Sequence, residues 1–285
     1  MKKYEKDGHI IFQGDAIEVL KQEVKNNSVD LIFIDPPYNI GKNFNGKKDK
    51  WKTDQLYINW CYQWLDLCMD KLKETGSIYL MSATQFMPYF DIYLREKLEI
   101  LSRIIWYYDS SGVQAKKYFG SRYEPILFAV KDKKNYTFNA ENILVSAKTG
   151  ATRKLIDYRK NPPQLYNTKK VPGNVWEYPR VRYRMAEYEN HPTQKPMVLL
   201  DRIIKASSNI GDVILDPFSG TFTTSYVAKS LNRQSIGIEI NEEFIKIGLR
   251  RVHDLKEING QILEKESKIY EIKNYQQPTL FDLTL

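Results

Sequence analysis

Long hydrophobic runs and cysteines are both scarce in this sequence, and each absence excludes a class of protein. No stretch approaches the roughly 18 consecutive apolar residues of a membrane-spanning helix. Charged residues at positions 5–7 occupy the place where the apolar run of a signal peptide would begin. The two cysteines, Cys61 and Cys68, are too few for a disulfide framework and lack the spacing of a metal site. We therefore expect two buried thiols in a soluble, cytoplasmic protein with no membrane partner and no metal.

Basic side chains are concentrated in one part of the chain. Residues 131–190 hold 13 basic and 6 acidic side chains, a surplus of seven that accounts for nearly all of the net charge of +8. Eight aromatic residues and four prolines are interleaved with these charges, and no long amphipathic helix fits the segment. Because cations neutralise phosphates and aromatic faces stack on bases, the segment is predicted to contact nucleic acid, with a loop-rich charged subdomain as the alternative. The candidate contact residues are Arg153, Lys154, Arg159, Lys160, Lys169, Lys170, Arg180, Arg182 and Arg184.

The rest of the chain alternates between strand-like and helix-like segments. Short apolar runs, typical of strands buried on both faces, are found at residues 29–34, 77–81, 103–107, 126–130, 213–215 and 235–238. Helical patterns are found at residues 16–24, 54–72, 196–206, 223–231 and 242–251. The second of these is predicted to share one apolar face among Leu56, Trp60, Trp64, Leu67, Cys68 and Leu72. Such alternation predicts an α/β fold with a mostly parallel sheet.

The first chemical motif is Asp35-Pro36-Pro37-Tyr38, which directly follows a predicted strand. Ligands of open α/β sheets bind outside the carboxyl ends of the strands, so chemistry is expected in this loop. The two prolines remove two backbone donors and leave carbonyl groups as the free polar atoms. Together with a carboxylate and an aromatic ring, these carbonyls suit a flat heteroaromatic ring that bears an exocyclic amine. The alternative is a simple turn, because Pro and Asp favour turns.

The second motif spans residues 213–221, where a strand precedes a turn of small residues that opens a helix. Asp216 follows this strand, and Glu239 comes 23 residues later at the end of the next strand. A glycine turn with an acid about 20 residues further on is the general arrangement for a nucleoside cofactor, in which the acid accepts from ribose hydroxyls. Neither a G-x-G-x-x-G fingerprint nor a Walker loop is present in the motif. We therefore expect an adenosine without a pyrophosphate, such as S-adenosylmethionine.

The third motif, His191-Pro192-Thr193-Gln194-Lys195-Pro196, precedes a predicted helix. It is consistent with a helix N-terminus in which Thr193 caps and Pro196 lies in the first turn. Lys195 is a candidate partner for a carboxylate of the ligand. His191 is expected to be structural, because neither of the two preceding motifs requires an imidazole base.

In this order, the three motifs resemble those of the β-group adenine-N6 DNA methyltransferases, which are bacterial enzymes of restriction-modification systems and of orphan type. The resemblance runs from about residue 10 to residue 251. In that family, the Asp-Pro-Pro-Tyr motif precedes the cofactor glycine motif because the methyltransferase fold is circularly permuted. The resemblance implies a Rossmann-like S-adenosylmethionine-dependent methyltransferase fold. It also implies methyl transfer to the N6 amine of a flipped adenine in a specific duplex DNA sequence.

The resemblance further implies roles for individual residues. The flipped adenine would be held by Asp35, Pro36, Pro37 and Tyr38. The cofactor would be bound by Asp15, Ala16, Asp35, Lys195, Asp216, Phe218, Gly220, Thr221 and Glu239. Within this set, Asp15 would accept from the amine of the cofactor adenine and Lys195 would lie near the methionine moiety. Phe222 departs from the family pattern, which has a glycine at that position.

The implied domain organisation has four parts. Residues 1–130 are the catalytic half of the core, 131–190 the target-recognition insertion, 191–253 the cofactor-binding half and 254–285 a peripheral tail. In the tail, Gln277-Pro278-Thr279-Leu280-Phe281 resembles the short peptide that binds the bacterial sliding clamp, although Pro278 replaces the usual Leu. The alternative for this peptide is docking of Leu280 and Phe281 on the protein's own core.

Three other functions compete with adenine methylation. A cytosine-N4 methyltransferase more often carries Ser before Pro-Pro-Tyr, and an RNA methyltransferase would use the same chemistry on another substrate. A DNA-binding protein on a relic methyltransferase fold would bind no cofactor. The intact set of Asp35 to Tyr38, Gly220 and Glu239 favours an enzyme, and the expected substrate is double-stranded DNA.

Overall fold

The computed structural model describes residues 1–44, 46–109, 116–148, 153–258 and 261–264, and its core is a nine-stranded sheet. The strands of this sheet are β1 (Lys2–Lys6), β2 (His9–Gln13), β3 (Val29–Ile34), β4 (Leu72–Met81), β5 (Glu99–Tyr107), β6 (Tyr123–Val130), β7 (Val175–Glu177), β8 (Val213–Asp216) and β9 (Gln234–Glu239). The helices are α1 (Ala16–Gln22), α2 (Asp54–Lys71), α3 (Met87–Arg95), α4 (Met197–Ser207), α5 (Thr223–Ser230) and α6 (Glu242–Val252). This is the α/β fold that the alternation predicts.

The sheet has the strand order β1-β2-β9-β8-β3-β4-β6-β5-β7. All neighbours from β2 to β4 are parallel, as are β5 and β7, whereas β1 is antiparallel to β2 and β6 is antiparallel to both β4 and β5. The central strands β8 and β3 lie side by side, and the next strand along the chain lies outward from each, β9 on one side and β4 on the other. Such a reversal opens a crevice at the carboxyl ends of the central strands, where ligands of α/β sheets bind.

Side chains that alternate along the central strands fill a core layer on each face of the sheet. In β3, Ile32 and Ile34 pack with residues of α1, α2 and α3, while Leu31 and Phe33 pack with residues of α4 and α5. Helix α6 contacts α5 and β2. Because both faces are covered, the central strands are almost continuously apolar, as expected for parallel strands.

Helix α2 buries a face that differs from the predicted one at its N-terminus. Leu56, predicted to be on the apolar face, is 50% exposed. Its neighbour Tyr57 is buried instead, because its ring packs against Trp51 and Phe86. The buried residues of the helix include Tyr57, Ile58, Cys61, Trp64, Leu65, Cys68 and Met69. The prediction of two buried thiols is confirmed: both cysteines are free and buried, and burial raises the pKa of each thiol.

Residues 131–190 form short elements that are joined to the core at two places. The short elements include the 3₁₀ helix Ala140–Ile143 and two small antiparallel pairs, Val145–Ser146 with Lys169–Lys170 and Ile156–Asp157 with Gln164–Leu165. Strand β7 pairs with β5 and brings Trp176 into the core. The amide of Asn139 donates to the Ser208 carbonyl just after α4 (2.9 Å). The segment is therefore joined to the core at both of these places.

The C-terminal part of the chain begins with a small antiparallel pair, Leu255–Ile258 with Gln261–Glu264. The peptide at residues 277–281 lies outside the described residues, so binding to a sliding clamp stays a prediction. In the described ranges, no helix has the length and apolar character needed to cross a membrane.

Candidate functional site

The loops that carry the sequence motifs meet at one edge of the sheet. Those that carry Asp15, Asp35, Gly220 and Glu239 follow β2, β3, β8 and β9, four parallel neighbours whose carboxyl ends share that edge. The third motif reaches the same cavity from the segment just before α4. A cavity of about 340 Å³ lies between them, a size that suits a small-molecule site. Its lining includes Asp15, Ala16, Asp35, Pro36, Pro37, Tyr38, Lys195, Asp216, Phe218, Gly220, Thr221 and Glu239. The fold therefore brings the predicted catalytic and cofactor residues, which come from both halves of the chain, into one cavity.

Asp35 follows β3 directly, and both of its carboxylate oxygens accept hydrogen bonds. Oδ2 accepts from Lys195 Nζ (2.6 Å) and Oδ1 accepts from the Tyr38 hydroxyl (2.6 Å). Burial raises the pKa of Asp35, although the charge of Lys195 opposes this shift. Asp35 is thus held in one orientation at the mouth of the central crevice.

The Asp35-to-Tyr38 loop is fixed by hydrogen bonds from two other parts of the chain. The Tyr57 hydroxyl on α2 donates to the Pro37 carbonyl (2.8 Å). The backbone amide of Tyr38 donates to Asp49 Oδ2 (3.1 Å). These bonds connect the loop to α2 and to the segment just before α2. They hold the Asp35-to-Tyr38 motif against the cavity.

Lys195, predicted to lie near the methionine moiety of a cofactor, lines the cavity and is paired with Asp35. Its Nζ pairs with Asp35 and lies 3.5 Å from Glu124 Oε2, and its side chain is only 7% exposed. A buried ammonium is stable only when it is paired, and these two carboxylates supply the pairing. Burial lowers the pKa of Lys195, but the two carboxylates outweigh burial and raise it, so the ammonium stays charged. Lys195 therefore lies at the end of the cavity that holds Asp35.

Asp216 closes the turn that follows β8. Its Oδ1 accepts from the Phe218 amide (3.0 Å), and its Oδ2 accepts from Thr224 Oγ1 at the start of α5 (2.5 Å). Burial raises the pKa of Asp216 to about 7. This carboxyl shapes the turn and forms part of the cavity wall.

Glu239 ends β9 and supports the same turn from the neighbouring strand. Its Oε2 accepts from the Gly220 amide (2.9 Å), and its Oε1 accepts from the amides of Ile240 (2.9 Å) and Asn241 (2.7 Å). Burial raises the pKa of Glu239 to about 7. Gly220 has φ of +50°, and a Cβ there would lie 3.1 Å from His191 Nε2, so a small residue is needed. The backbone of the turn therefore lies uncovered beside a carboxylate.

Asp15 follows β2 closely and caps α1 at another wall of the cavity. Its Oδ1 accepts from the amides of Ile17 (2.9 Å) and Glu18 (3.2 Å). Such capping bonds are typical of Asp at a helix N-terminus. Both bonds use Oδ1, so Oδ2 is the atom of Asp15 suited to a ligand.

Phe222, where the resembled family has a glycine, does not line the cavity. Its φ of +58° is in the left-handed region that glycine favours. The ring is fully buried against Ile11, in space that Gly237 and Gly248 leave free. A Cβ at Gly237 would lie 2.7 Å from the ring, and one at Gly248 would lie closer still. The two glycines therefore accommodate the departure, and Gly220 and Thr221 still line the cavity.

We expect Gly248→Ala to lower the free energy of unfolding by about 1–2 kcal/mol. Overlap of the new methyl group with the Phe222 ring outweighs the higher helix propensity of Ala. Adding Phe222→Leu to Gly248→Ala should restore part of the lost stability, because the Phe222 ring occupies the space that the new methyl group needs. The control is Gly173→Ala, where a Cβ meets nothing within 4 Å. Chemical denaturation of the single and double variants measures the effect, and strictly additive losses would contradict it.

Most of the cations predicted to contact DNA lie on the surface. The exposed ones are Arg153, Lys154, Arg159, Lys169, Lys170, Arg182 and Arg184, and the half-buried ones are Lys160 and Arg180. Arg159 pairs with Asp157 (2.8 Å), which restricts its side chain. Arg180 is connected to the catalytic end of the cavity, because its guanidinium lies 5.2 Å from the centroid of the Tyr108 ring and the Tyr108 hydroxyl donates to Glu124 (3.2 Å).

Glu124 is a site residue that the sequence patterns do not single out. It lies near the start of β6, and its Oε2 is 3.1 Å from the Tyr38 hydroxyl, which makes it the alternative acceptor to Asp35. Because β6 runs antiparallel to β4 and β5, its first residues lie at the edge where those strands end. The sequence signal for Glu124 was its position as an acidic residue just before the apolar run at 126–130. That position indicates a site residue only when the direction of β6 in the sheet is known.

Comparison with known proteins identifies relatives along almost the whole chain. The family model for DNA methylase matches residues 29–250. The chain is 58% identical over 266 residues to the DNA adenine methyltransferase YhdJ of Escherichia coli (strain K12), covering 93% of this chain and 90% of that protein. It is 37% identical over 249 residues to the type II methyltransferase M.HpaI of Haemophilus parainfluenzae, covering 87% and 74% of the two chains.

Solved structures share the fold at lower identity. The PvuII DNA methyltransferase, cytosine-N4-specific, matches with a TM-score of 0.65 at 16% identity, covering 87% of each chain. The M1.HpyAVI–SAM complex matches with a TM-score of 0.58 at 23% identity, covering 85% of this chain and 98% of that chain. The sequence relatives and the matching family model lead to one conclusion: the chain belongs to the N6/N4 DNA methylase family.

Proposed function

We propose that this protein transfers a methyl group from S-adenosylmethionine to the N6 amine of an adenine flipped out of duplex DNA. The family supplies the reaction, methylation of DNA. The observation that carries the choice of N6 is the Asp35 carboxylate, which follows β3 and faces the same cavity as Glu239. The relative with 58% identity, which bears the name DNA adenine methyltransferase, supports the same target.

The residues at one end of the cavity fit S-adenosylmethionine. Glu239 offers carboxylate oxygens to the ribose hydroxyls, and Asp15 Oδ2 is suited to accept from the adenine amine. Gly220 leaves the backbone uncovered where a side chain would collide with His191. When bound, the cofactor supplies an electrophilic methyl group on a sulfonium sulfur. Ala16, Asp216, Phe218 and Thr221 complete the proposed wall of this subsite.

The other end of the cavity is suited to position the target amine. An adenine inside a duplex cannot be reached, so it has to be extruded at a cost of a few kcal/mol. Asp35 and the Pro36 carbonyl would accept the two N6 hydrogens and draw the nitrogen towards a tetrahedral, nucleophilic geometry. The Tyr38 ring would stack on the base. Once the amine binds Asp35, the Tyr38 hydroxyl would move its hydrogen bond from Asp35 to Glu124 Oε2, which is 3.1 Å away.

The transfer itself is a direct displacement. The N6 lone pair forms the new C–N bond, the electron pair of the C–S bond stays on sulfur, and N6 then releases one proton. No covalent enzyme intermediate is needed. Positioning of two bound reactants in line is therefore the main contribution of the chain to the rate.

The strand order supports assignment to the circularly permuted β group. Asp35 and β3 precede residues 131–190, and β8 with Gly220 follows them, although β3 and β8 are neighbours in the sheet. On this proposal, residues 1–130 are the catalytic half and residues 191–253 the cofactor half. Residues 131–190, with their exposed cations, are the proposed target-recognition region, in which Arg180 is connected through Tyr108 to the catalytic end.

The methylated nucleoside tests the proposal. Purified protein is incubated with unmethylated duplex DNA and S-adenosylmethionine, and the DNA is digested and analysed by mass spectrometry. We expect N6-methyldeoxyadenosine, no N4-methyldeoxycytidine, and no activity on RNA of the same sequence. N4-methyldeoxycytidine would overturn the adenine assignment, and methylation of RNA alone would overturn the substrate.

A further inference from the structure

The buried cluster at the catalytic end of the cavity contains one carboxylate that the proposed displacement does not require. Glu124 Oε2 lies 3.1 Å from the Tyr38 hydroxyl, an alternative acceptor to Asp35, and 3.5 Å from Lys195 Nζ. Glu124 Oε1 accepts from the Tyr108 hydroxyl (3.2 Å). The side chain of Glu124 is 18% exposed and that of Lys195 is 7% exposed. Two of the three partners of Glu124, namely Tyr38 and Lys195, also form hydrogen bonds with Asp35.

The charge of this cluster depends on Glu124. Asp35 and Lys195 alone form a neutral pair, and Glu124 gives these three side chains a net charge of minus one. The tyrosines that face it are neutral, because burial raises the pKa of Tyr108 to about 12 and that of Tyr38 well above its ordinary value. The other ionisable groups near the cluster include His191, which is neutral because burial lowers its pKa to about 3, the cations Lys42 and Arg180, and the carboxyl groups of Asp49 and Asp216.

We propose that Glu124 is a positioning residue for methyl transfer. Its negative charge stabilises the amine nitrogen as this nitrogen becomes cationic. Its carboxylate also accepts the hydrogen bond of the Tyr38 hydroxyl when the amine binds Asp35. The inference rests on the proposed function. While the C–N bond forms, N6 changes from neutral to positively charged until it releases a proton. A fixed negative charge in a site shielded from water stabilises this change far more than an exposed carboxylate would. The neutral Asp35–Lys195 pair alone would lack that net charge.

Glu124→Gln tests the role, because Gln keeps the size and an acceptor oxygen but removes the charge. We expect the single-turnover rate of methyl transfer to fall about 100-fold. Affinity for S-adenosylmethionine, measured by calorimetry, and the midpoint of thermal unfolding should stay close to those of the parent protein. The control is Glu99→Gln, which removes an exposed glutamate paired with Lys133 and should change none of the three.

The pH dependence of the rate gives a readout that a merely structural role would not move. Asp35 has to be ionised to accept from the amine, so the rate is lost as pH falls through its pKa. Burial raises the pKa of Asp35 most, Lys195 opposes this shift, and the charge of Glu124 raises the pKa further, so Glu124→Gln should move the acid limb of the profile to lower pH. Glu124→Asp, which keeps the charge, should recover part of the rate.

Two results would overturn this inference. One is a rate for Glu124→Gln close to that of the parent protein, and the other is an acid limb that does not move. Asp35→Ala, measured in parallel, separates this failure from failure of the proposed function. If Asp35→Ala keeps its activity, the proposed function is wrong; if it loses activity while Glu124→Gln does not, only the role of Glu124 is wrong.

Discussion

Asp35→Ala is expected to abolish methyl transfer, with a loss of at least about 10³-fold in the single-turnover rate. The variant removes the acceptor that is proposed to draw the N6 lone pair out of the ring. Affinity for S-adenosylmethionine should be largely retained, because the proposed ribose and adenine contacts, Glu239 at the end of β9 and Asp15 just after β2, are outside the loop that carries Asp35. Incorporation of a radiolabelled methyl group into duplex DNA measures the first effect, and calorimetry measures the second.

The structure also indicates that this variant folds. Removing the Asp35 carboxylate leaves the buried Lys195 ammonium with Glu124, so the charge keeps a partner. Asp66→Ala, which removes a surface aspartate paired with Lys97, is the matched control and should retain full activity. Retained methyl incorporation by Asp35→Ala would refute the assignment of the catalytic loop.

Glu239→Ala should weaken binding of S-adenosylmethionine about 10- to 100-fold, the effect of losing hydrogen bonds to a charged acceptor. The substitution removes the carboxylate proposed for the ribose and also frees the Gly220 and Asn241 amides that it holds. At saturating cofactor, the transfer rate should change much less than the affinity. Calorimetry with the cofactor alone measures the effect without reference to turnover.

The affinity for the cofactor should also depend on pH through Glu239. Because burial raises the pKa of this carboxyl to about 7, the ionised acceptor is lost as pH falls below that value, and affinity should fall from pH 8 to pH 6. Glu239→Gln should flatten this dependence. Glu243→Ala, at an exposed glutamate on α6, is the control and should bind as the parent does. Unchanged affinity in Glu239→Ala would refute the ribose assignment.

Most of the central sheet follows from patterns in the sequence. Each predicted strand lies within an observed one, and the run at residues 29–34 coincides with β3. Covered parallel strands are continuously apolar, and glycine or proline turns mark their ends, so local patterns are sufficient there. The loops that follow β3 and β8 could be predicted for the same reason.

The patterns do not predict β1, β2, α3 and β7; β2 carries a short apolar run that was not singled out, whereas β1 and β7 lack such local signals. Strand β1 is an exposed edge strand with little apolar character, and β7 has only three residues. Strand β6 is apolar like its neighbours, but its antiparallel direction depends on pairing with β4 and β5. That direction places Glu124, rather than the last residue of the strand, at the catalytic edge.

The amino-acid sequence by itself determined the α/β class, the loops that carry Asp35 and Gly220, the two buried thiols and the position of the basic surplus. Each of these depends on residue types that are close together in the chain. Only the tertiary structure decided that Lys195 pairs with Asp35 and Glu124, and that two glycines make room for Phe222. The pairing of a buried charge and the filling of a buried volume depend on neighbours from distant parts of the chain, which become neighbours only in the folded sheet.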